Sequence, residues 1–236
     1  MSDESQHPPA TERNPGSEGE TPSAGRHAHY DSLSKPWREW SAVDIGEKLF
    51  ELRDYTPIPL IVLVIWYCDP TVRTATLGTL LVVLGELIRI YSVAFIGSVS
   101  RTRNVTSAGS NLITSGPFGL IRNPLYVGNF FITFGLAVFS GGWWLIALAV
   151  LLFSFQYYCI VKHEERLLIA RFGQEYEEYM TAVPAWIPAR LPALTTLEWP
   201  DTFSPALRSE KRTLLAIAAM LLALSLLSNT PKPGVY

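Results

Sequence analysis

Two clusters of polar residues flank a long apolar hairpin, and together they could bind and act on a small charged ligand at a membrane edge. The first cluster lies in residues 115–126, which read SGPFGLIRNPLY, and the second is formed by Glu164 and Glu165. The hairpin turns at Gly141 and Gly142, and each limb is about as long as a bilayer crossing. If both limbs cross, the two clusters return to one membrane face and form a single site.

The first cluster has the features of an anion-binding helix start. Asn123 followed by Pro124 predicts that a helix begins there, because proline fits the first turn of a helix. A helix start offers unpaired N–H groups and a positive dipole end, which suit the carboxylate of a small ligand. The guanidinium of Arg122 adds a planar fork for the same group. On spacing alone, an anchoring contact between Arg122 and lipid phosphates explains the residue equally well.

The second cluster also has an ordinary explanation. Acidic residues at the end of a membrane helix usually form only a solvated boundary, and Glu164 and Glu165 taken alone fit that description. Beside a bound ligand, however, a carboxylate can orient the ligand or take a proton from it. The second cluster therefore gains its significance from the first.

A further ion pair is predicted inside the second apolar stretch of the chain. Glu86 and Arg89 are three residues apart, so they lie on the same face of a helix. A charge at membrane depth costs about 2.5–3.5 kcal/mol on insertion scales. We therefore expect the pair to brace or wall a polar pocket, unless Arg89 lies close enough to the membrane surface to snorkel to the headgroups.

The distribution of apolar residues predicts an all-α, polytopic membrane protein. Hydrophobic residues make up 48% of the 236 residues, and stretches almost free of charge alternate with charged ones. Several apolar stretches are shorter than twenty residues, so flanking aromatic and basic side chains must complete those crossings. About five transmembrane helices are predicted, at residues 56–68, 74–99, 125–140, 143–161 and 213–228.

Other parts of the chain are predicted to lie outside the bilayer. Residues 1–29 are rich in Ser, Pro, Gly and Glu and hold no apolar run, which predicts a disordered tail. Residues 30–55 predict an amphipathic helix in the headgroup region, although an ordinary surface helix fits the same spacing. Residues 164–186 predict an amphipathic helix after the fourth crossing. The membrane domain proper is residues 56–236.

The basic residues predict the orientation of the chain. In a five-crossing topology, sixteen of the nineteen Lys and Arg residues fall on the side of the N-terminus and of the two polar clusters. That side is therefore predicted to be cytoplasmic. No nucleic-acid partner is predicted. A metal site is not predicted either, because no group of Cys and His has ligand spacing.

The order of these motifs resembles that of the isoprenylcysteine carboxyl methyltransferase and phospholipid methyltransferase superfamily. The shared order is S-G-P-aromatic, R-x-P-x-Y-x-G, a hairpin, Glu-Glu, and F-G-x-E-Y-x-x-Y followed by proline, over about residues 77–188. The resemblance implies a helical membrane enzyme that binds S-adenosylmethionine in a cytoplasmic pocket and methylates a lipid-like or prenylated acceptor. The stretch at 213–228 lies outside it, as an extra transmembrane helix.

Carried over position by position, the resemblance implies a role for most of the site residues. Glu164 and Arg122 are the implied catalytic residues, and Glu164 corresponds to a carboxylate at the acceptor. Glu86, Arg89 and Glu165 are not carried over from the family, and their positions in the sequence assign them to the substrate side or the pocket wall. The implied cofactor-binding residues are Arg103, Ser110, Asn111, Leu112, Ile113, Phe118, Asn123, Pro124, Leu125 and Tyr126.

Three departures from the family pattern bear on the acceptor and the cofactor. Asn123 stands where the family usually has histidine, and Phe118 stands where it usually has tyrosine. Ile160 occupies the position of an arginine that would grip the acceptor carboxylate in prenylcysteine enzymes, which favours an amine, a thiol or another lipophilic nucleophile. An alternative is an NADPH-dependent sterol or steroid reductase, because those enzymes share an Arg-x-x-x-Tyr-x-Gly element, and Arg101 and Arg103 could hold the extra phosphate.

Overall fold

The described part of the chain is entirely helical. A computed structural model describes residues 40–96, 112–189 and 197–227, and no β-strand occurs within them. The predicted tail at residues 1–29 lies outside this part. The helices are α1 (Ala42–Glu51), α2 (Ile58–Trp66), α3 (Val72–Ile96), α4 (Pro124–Phe139), α5 (Trp143–Phe172), α6 (Gln174–Ala182) and α7 (Ser204–Leu227), with a 3₁₀ helix at Gly116–Gly119. The all-α class is thus confirmed for the described residues.

The helices differ in their capacity to cross a bilayer. Helices α3 and α5, of 25 and 30 residues, are long and apolar enough to do so. Helix α4 is apolar but has 16 residues, and α2 has only 9. Helix α7 has 24 residues, and several charged side chains lie in its first third. The five predicted apolar stretches therefore correspond to α2, α3, α4, α5 and α7, of which α3 and α5 are both long and apolar enough for a full crossing.

Helix α5 is longer than predicted. We expected a separate amphipathic helix to begin at Glu164, but α5 continues through this residue to Phe172, so that boundary is wrong. No helix-breaking residue occurs before Gly173, whose φ of +56° ends α5 and begins α6. At 1.5 Å per residue, α5 measures about 45 Å, whereas the hydrocarbon core of a bilayer is about 30 Å thick. Its last turns can therefore extend beyond the bilayer.

Helices α3 and α4 pack closely through paired glycines. A Cβ atom on Gly85 would lie 2.6 Å from the carbonyl oxygen of Gly128, and one on Gly78 would lie 2.6 Å from that of Gly135. The two glycines of each helix are seven residues apart, so both face the partner helix. Small residues at such an interface allow the two backbones to approach each other. This contact fixes the position of α4, whose first turns carry the first polar cluster.

A larger side chain at Gly85 is expected to destabilise the protein. The substitution Gly85→Leu must push α4 away, at a cost of about 1–3 kcal/mol, or roughly 2–4 °C in Tm for each kcal/mol. Thermal unfolding of the detergent-solubilised protein measures this change. Ala147→Leu is the control, because Ala147 is exposed on α5. An unchanged Tm for Gly85→Leu would show that the interface does not stabilise the fold.

The α4–α5 hairpin turns where the sequence predicts. Its turn is held against the α2–α3 loop by a hydrogen bond of 2.9 Å from the Asp69 N–H to the Ser140 carbonyl oxygen. Gly141 adopts a φ of +81°, and a Cβ atom there would lie 2.5 Å from the Asp69 carbonyl oxygen. Both limbs therefore run back toward the side of the two polar clusters.

Helix α1 packs directly on α5. A Cβ atom on Gly46 would lie 2.0 Å from the Cys159 carbonyl oxygen, so the two helices are in backbone contact. One turn further, the rings of Phe50 and His163 have centroids 5.9 Å apart. Packing on α5 is consistent with both interpretations of this segment. These contacts also bring the C-terminal end of α1 to the part of α5 that carries Glu164.

Candidate active site

A cavity of about 970 Å³ lies among the helices, and its wall includes most of the residues singled out above. Its lining includes polar and aromatic side chains from α4, α5 and α6 and aliphatic side chains of α2 and α4, while α7 contributes Met220 and the polar Glu210, Arg212 and Thr213. Arg103, Ser110 and Asn111 lie outside the described residues. The predicted site residues that line the cavity are Arg89, Leu112, Ile113, Phe118, Arg122, Asn123, Pro124, Leu125, Tyr126, Glu164 and Glu165.

The two polar clusters meet in this cavity. The hydroxyl group of Tyr126 on α4 and the carboxyl group of Glu164 on α5 lie within hydrogen-bonding reach of each other. The Tyr126 ring also contacts that of Tyr157, with centroids 4.7 Å apart. This is the convergence that the hairpin argument predicts, since both limbs return to the same side.

Arg122 contacts protein groups with both of its terminal nitrogens. Nη2 donates to Glu165 Oε1 at 2.7 Å, and Nη1 donates to the carbonyl oxygens of Met180 and Val183 at 2.9 and 2.6 Å. Lys162 donates to the other Glu165 oxygen at 3.0 Å. The fork that we expected to hold a ligand carboxylate is therefore occupied. Arg122 instead ties the loop before α4 to α5 and to the end of α6.

The segment that follows α6 also holds this loop in place. Asn123 Nδ2 donates to the Ala185 carbonyl oxygen at 3.1 Å and makes no capping bond to α4. The Tyr179 hydroxyl donates to the Phe118 carbonyl oxygen at 2.7 Å. Burial raises the pKa of Tyr179 to about 12, so the hydroxyl remains a donor at neutral pH. The loop is thus fixed by side chains that sequence spacing alone would assign to a ligand.

Arg89 is the centre of a third polar cluster, separate from the two at the ends of the hairpin. Its Nη2 lies 2.7 Å from Glu210 Oε2 of α7, its Nε lies 3.5 Å from Glu86 Oε2, and Nη1 donates to Asn129 Oδ1. The Arg89 side chain therefore turns toward the protein rather than snorkelling to the surface. Glu86 is not part of the cavity wall. These contacts correspond to a brace between α3, α4 and α7.

Several cavity residues were missed by the sequence reasoning. Tyr157 is seven residues before Glu164 and lines the same side of α5, so helical spacing could have identified it. Asn129 is three residues after Tyr126 and follows the same logic on α4. Arg53 comes from the turn after α1 and Glu210 comes from α7, and no local pattern connects either residue with the cavity.

Comparisons with known sequences identify a family that is similar to the part of the chain around this cavity. Residues 73–175 match the family model described as phospholipid methyltransferase, and this segment contains the loop, the hairpin and both glutamates. The segment is similar to the superfamily of isoprenylcysteine and phospholipid methyltransferases. No solved structure matches the chain.

The relatives that match this part of the chain are named either as metal-resistance proteins or as methyltransferases. A cobalt-zinc-cadmium resistance protein of Cupriavidus metallidurans is 34% identical over 113 residues, which is 48% of each chain. The protein-S-isoprenylcysteine O-methyltransferase of Xenopus laevis is 31% identical over 48% of this chain and 40% of its own. That of Schizosaccharomyces pombe is 30% identical over 49% of each. The chain thus spans about half the length, or less, of the curated relatives it matches.

One of these relatives is named for metal resistance, which makes the arrangement of metal-ligating side chains relevant. Within residues 40–96, 112–189 and 197–227, no group of three or more His, Cys, Asp or Glu side chains is placed to hold a metal ion. Cys68 and Cys159 are both buried thiols.

Proposed function

We propose that this protein transfers a methyl group from S-adenosylmethionine to a lipophilic, membrane-resident acceptor at the cytoplasmic face of a membrane. The observation that carries the proposal is the contact between Tyr126 and Glu164 in a cavity that has both a polar and an aliphatic part. A polar cofactor and a lipid-like acceptor require such a cavity. The similarity of residues 73–175 to the phospholipid methyltransferase family supports the same reaction, and none of the relatives named above is a reductase.

The cavity suits the proposed cofactor in size and lining. Small-molecule pockets typically measure about 300–1,000 Å³, so about 970 Å³ has room for the cofactor and part of an acceptor. The aromatic rings of Phe118, Tyr126 and Tyr157 would hold a sulfonium cation by cation–π attraction. When bound, S-adenosylmethionine supplies a methyl group on positively charged sulfur. Leu112, Ile113, Asn123, Pro124 and Leu125 would form the rest of its wall.

Alignment is the main contribution expected from the protein. Holding the reacting groups in line can contribute on the order of 7–11 kcal/mol to a displacement. We assign Glu164 to orient the acceptor and, for an amine or a thiol, to accept its proton. Tyr126 fixes the carboxyl group of Glu164. Arg122 is a positioning residue, since its bonds to Glu165 and to the end of α6 hold the loop next to Glu164.

The membrane arrangement is part of the proposal. We assign five crossings to α2, α3, α4, α5 and α7, with the N-terminus and the polar part of the cavity cytoplasmic. The excess of Lys and Arg on that side supports this orientation. Residues 56–236 would form the membrane methyltransferase domain.

Titration of the detergent-solubilised full chain tests the cofactor. We expect calorimetry to show binding of S-adenosylhomocysteine and none of NADPH. Binding of NADPH alone would favour the reductase alternative. Incubating membranes with isotopically labelled methyl donor would then identify the labelled acceptor.

Replacement of Tyr126 by alanine is expected to weaken cofactor binding first. Loss of the ring removes a cation–π partner and the hydroxyl that fixes Glu164, so the Kd for S-adenosylhomocysteine should rise roughly 10-fold, or about 1.4 kcal/mol. Tyr158→Ala is the matched control, because Tyr158 follows the cavity residue Tyr157 on α5 but is 55% exposed and does not line the cavity. Equal affinity in the two variants would remove Tyr126 from the cofactor site.

A further inference from the structure

The acceptor side of the cavity lacks a cation at position 160, where the family resemblance implies an arginine. Ile160 is fully buried and is not part of the cavity wall. Two basic residues follow within two turns, but Lys162 points to Glu165 and neither Lys162 nor Arg166 lines the cavity. Between Ile160 and Glu164, helix α5 therefore supplies no cation to the cavity, and its Arg171, which does line the cavity, follows two turns after Glu164.

The turn that follows α1 supplies one instead. Arg53 lines the cavity, and its guanidinium carbon lies 4.1 Å from the centroid of the Phe50 ring. Its charge acts on both Glu164 and Tyr126, the two residues at the centre of the polar part. Within residues 40–96, 112–189 and 197–227, its guanidinium has no hydrogen bond or ion pair, in contrast to Arg122. Stacking on Phe50 holds the group in place while its N–H donors remain available.

An aliphatic wall begins directly after this cation in the chain. Leu60, Ile61 and Val64 of α2 line the cavity, and Val64 belongs to one apolar cluster with Leu136 and Met220. From residue 57 to residue 64 the helix rises about 10 Å. The cavity thus combines a cationic group with a hydrocarbon-like track, which is the complement of an amphiphile with an anionic head.

We propose that Arg53 binds an anionic group of the acceptor, while the hydrocarbon chain of the acceptor lies along α2. This inference rests on the proposed function and specifies its acceptor as an anionic amphiphile, with a carboxylate or a phosphate. Arg53 takes the role of the arginine absent from position 160. A cation is required there because Glu164 would otherwise repel an anionic acceptor. Arg53 is accordingly a specificity-determining residue contributed from outside the family segment.

The test compares probes that share one chain length and differ in charge. We measure the affinity of the full chain, in nanodiscs of phosphatidylcholine, for three radiolabelled probes: palmitate, hexadecyl phosphate and the uncharged palmitamide. We expect the wild-type protein to prefer the anionic probes over palmitamide by about 10-fold, as a charge-assisted hydrogen bond implies. Arg53→Gln should reduce that preference to within about 2-fold, and Arg53→Lys should retain most of it.

Arg171→Gln is the matched control, because Arg171 also lines the cavity and lies 5.1 Å from a neighbouring ring, that of Phe172. It should keep the preference. A preference for palmitate supports a carboxylate acceptor, and one for hexadecyl phosphate supports a phosphate-bearing lipid. An equal preference in wild type and Arg53→Gln, or its loss only in Arg171→Gln, overturns the inference.

The affinity for S-adenosylhomocysteine is measured in the same preparations and separates this inference from the proposed function. Arg53→Gln should leave that affinity within about 3-fold, because the residue is placed on the acceptor side. If the wild-type protein does not bind S-adenosylhomocysteine, the proposed function fails, whereas the probe preference still decides the role of Arg53.

Discussion

Replacing Glu164 with glutamine is expected to lower the turnover number by about 100-fold or more, with little change in cofactor affinity. Glutamine keeps the shape of the side chain and an oxygen that can accept the hydrogen bond of Tyr126, but it cannot take up a proton or carry a charge. The change therefore removes the function assigned to the carboxyl group and preserves the packing. Initial rates with labelled methyl donor, together with calorimetric titration, measure the two quantities separately.

Glu175→Gln is the control for this substitution, because Glu175 is exposed on α6 and outside the cavity wall. It should leave both quantities unchanged. Wild-type turnover in Glu164→Gln would eliminate Glu164 from the mechanism. A parallel loss of cofactor affinity would instead place this carboxylate on the cofactor side.

Replacing Arg122 with leucine is expected to be the most destabilising single change at the site. The substitution leaves the Glu165 carboxylate, 7% exposed, without its buried partner. Removing one member of a buried ion pair costs about 3–5 kcal/mol, and Tm should fall by roughly 2–4 °C for each kcal/mol. Thermal unfolding of the solubilised protein measures the loss.

The same carboxylate offers a matched comparison. Lys162 also binds Glu165, but its side chain is 44% exposed. Exposed ion pairs contribute about 0–1 kcal/mol, so Lys162→Met should cost far less than Arg122→Leu. The double variant Arg122→Leu with Glu165→Leu should recover much of the loss, since no unpaired charge then remains buried. Equal effects of the two single variants would contradict a structural role for Arg122.

Local signals in the sequence were sufficient for the hairpin and for the start of α4. Asn123-Pro124 predicts the start of α4, and the helix begins at Pro124. The turn at Gly141 follows from the lack of a Cβ atom, because this residue has a positive φ and touches the α2–α3 loop. The end of α5 was missed, since the acidic pair at Glu164 marks a change in composition and no helix breaker occurs before Gly173.

Contacts between side chains that are distant in the sequence were the main source of error in predicting the site. The charge and fork of Arg122 suggested a ligand, whereas its hydrogen-bond acceptors come from α5 and from the end of α6. The pairing of Glu86 with Arg89, predicted from their spacing of three residues, is confirmed at 3.5 Å, but Glu210 approaches the same guanidinium at 2.7 Å from α7, which the spacing did not predict. A spacing rule describes neighbours on one helix and contains no information about which other helix packs against it.

The chain by itself determined the helical class, the apolar stretches, the polar ends of the hairpin and the resemblance to membrane methyltransferases. These features depend on residues close together in the sequence, or on an order of motifs that one linear pattern preserves. Only the tertiary structure decided that Tyr126 lies beside Glu164, that Arg122 forms an ion pair with Glu165, and that Arg53 lines the same cavity. Those pairings depend on how closely helices approach, which the glycines of α3 and α4 and the contact between α1 and α5 control in three dimensions.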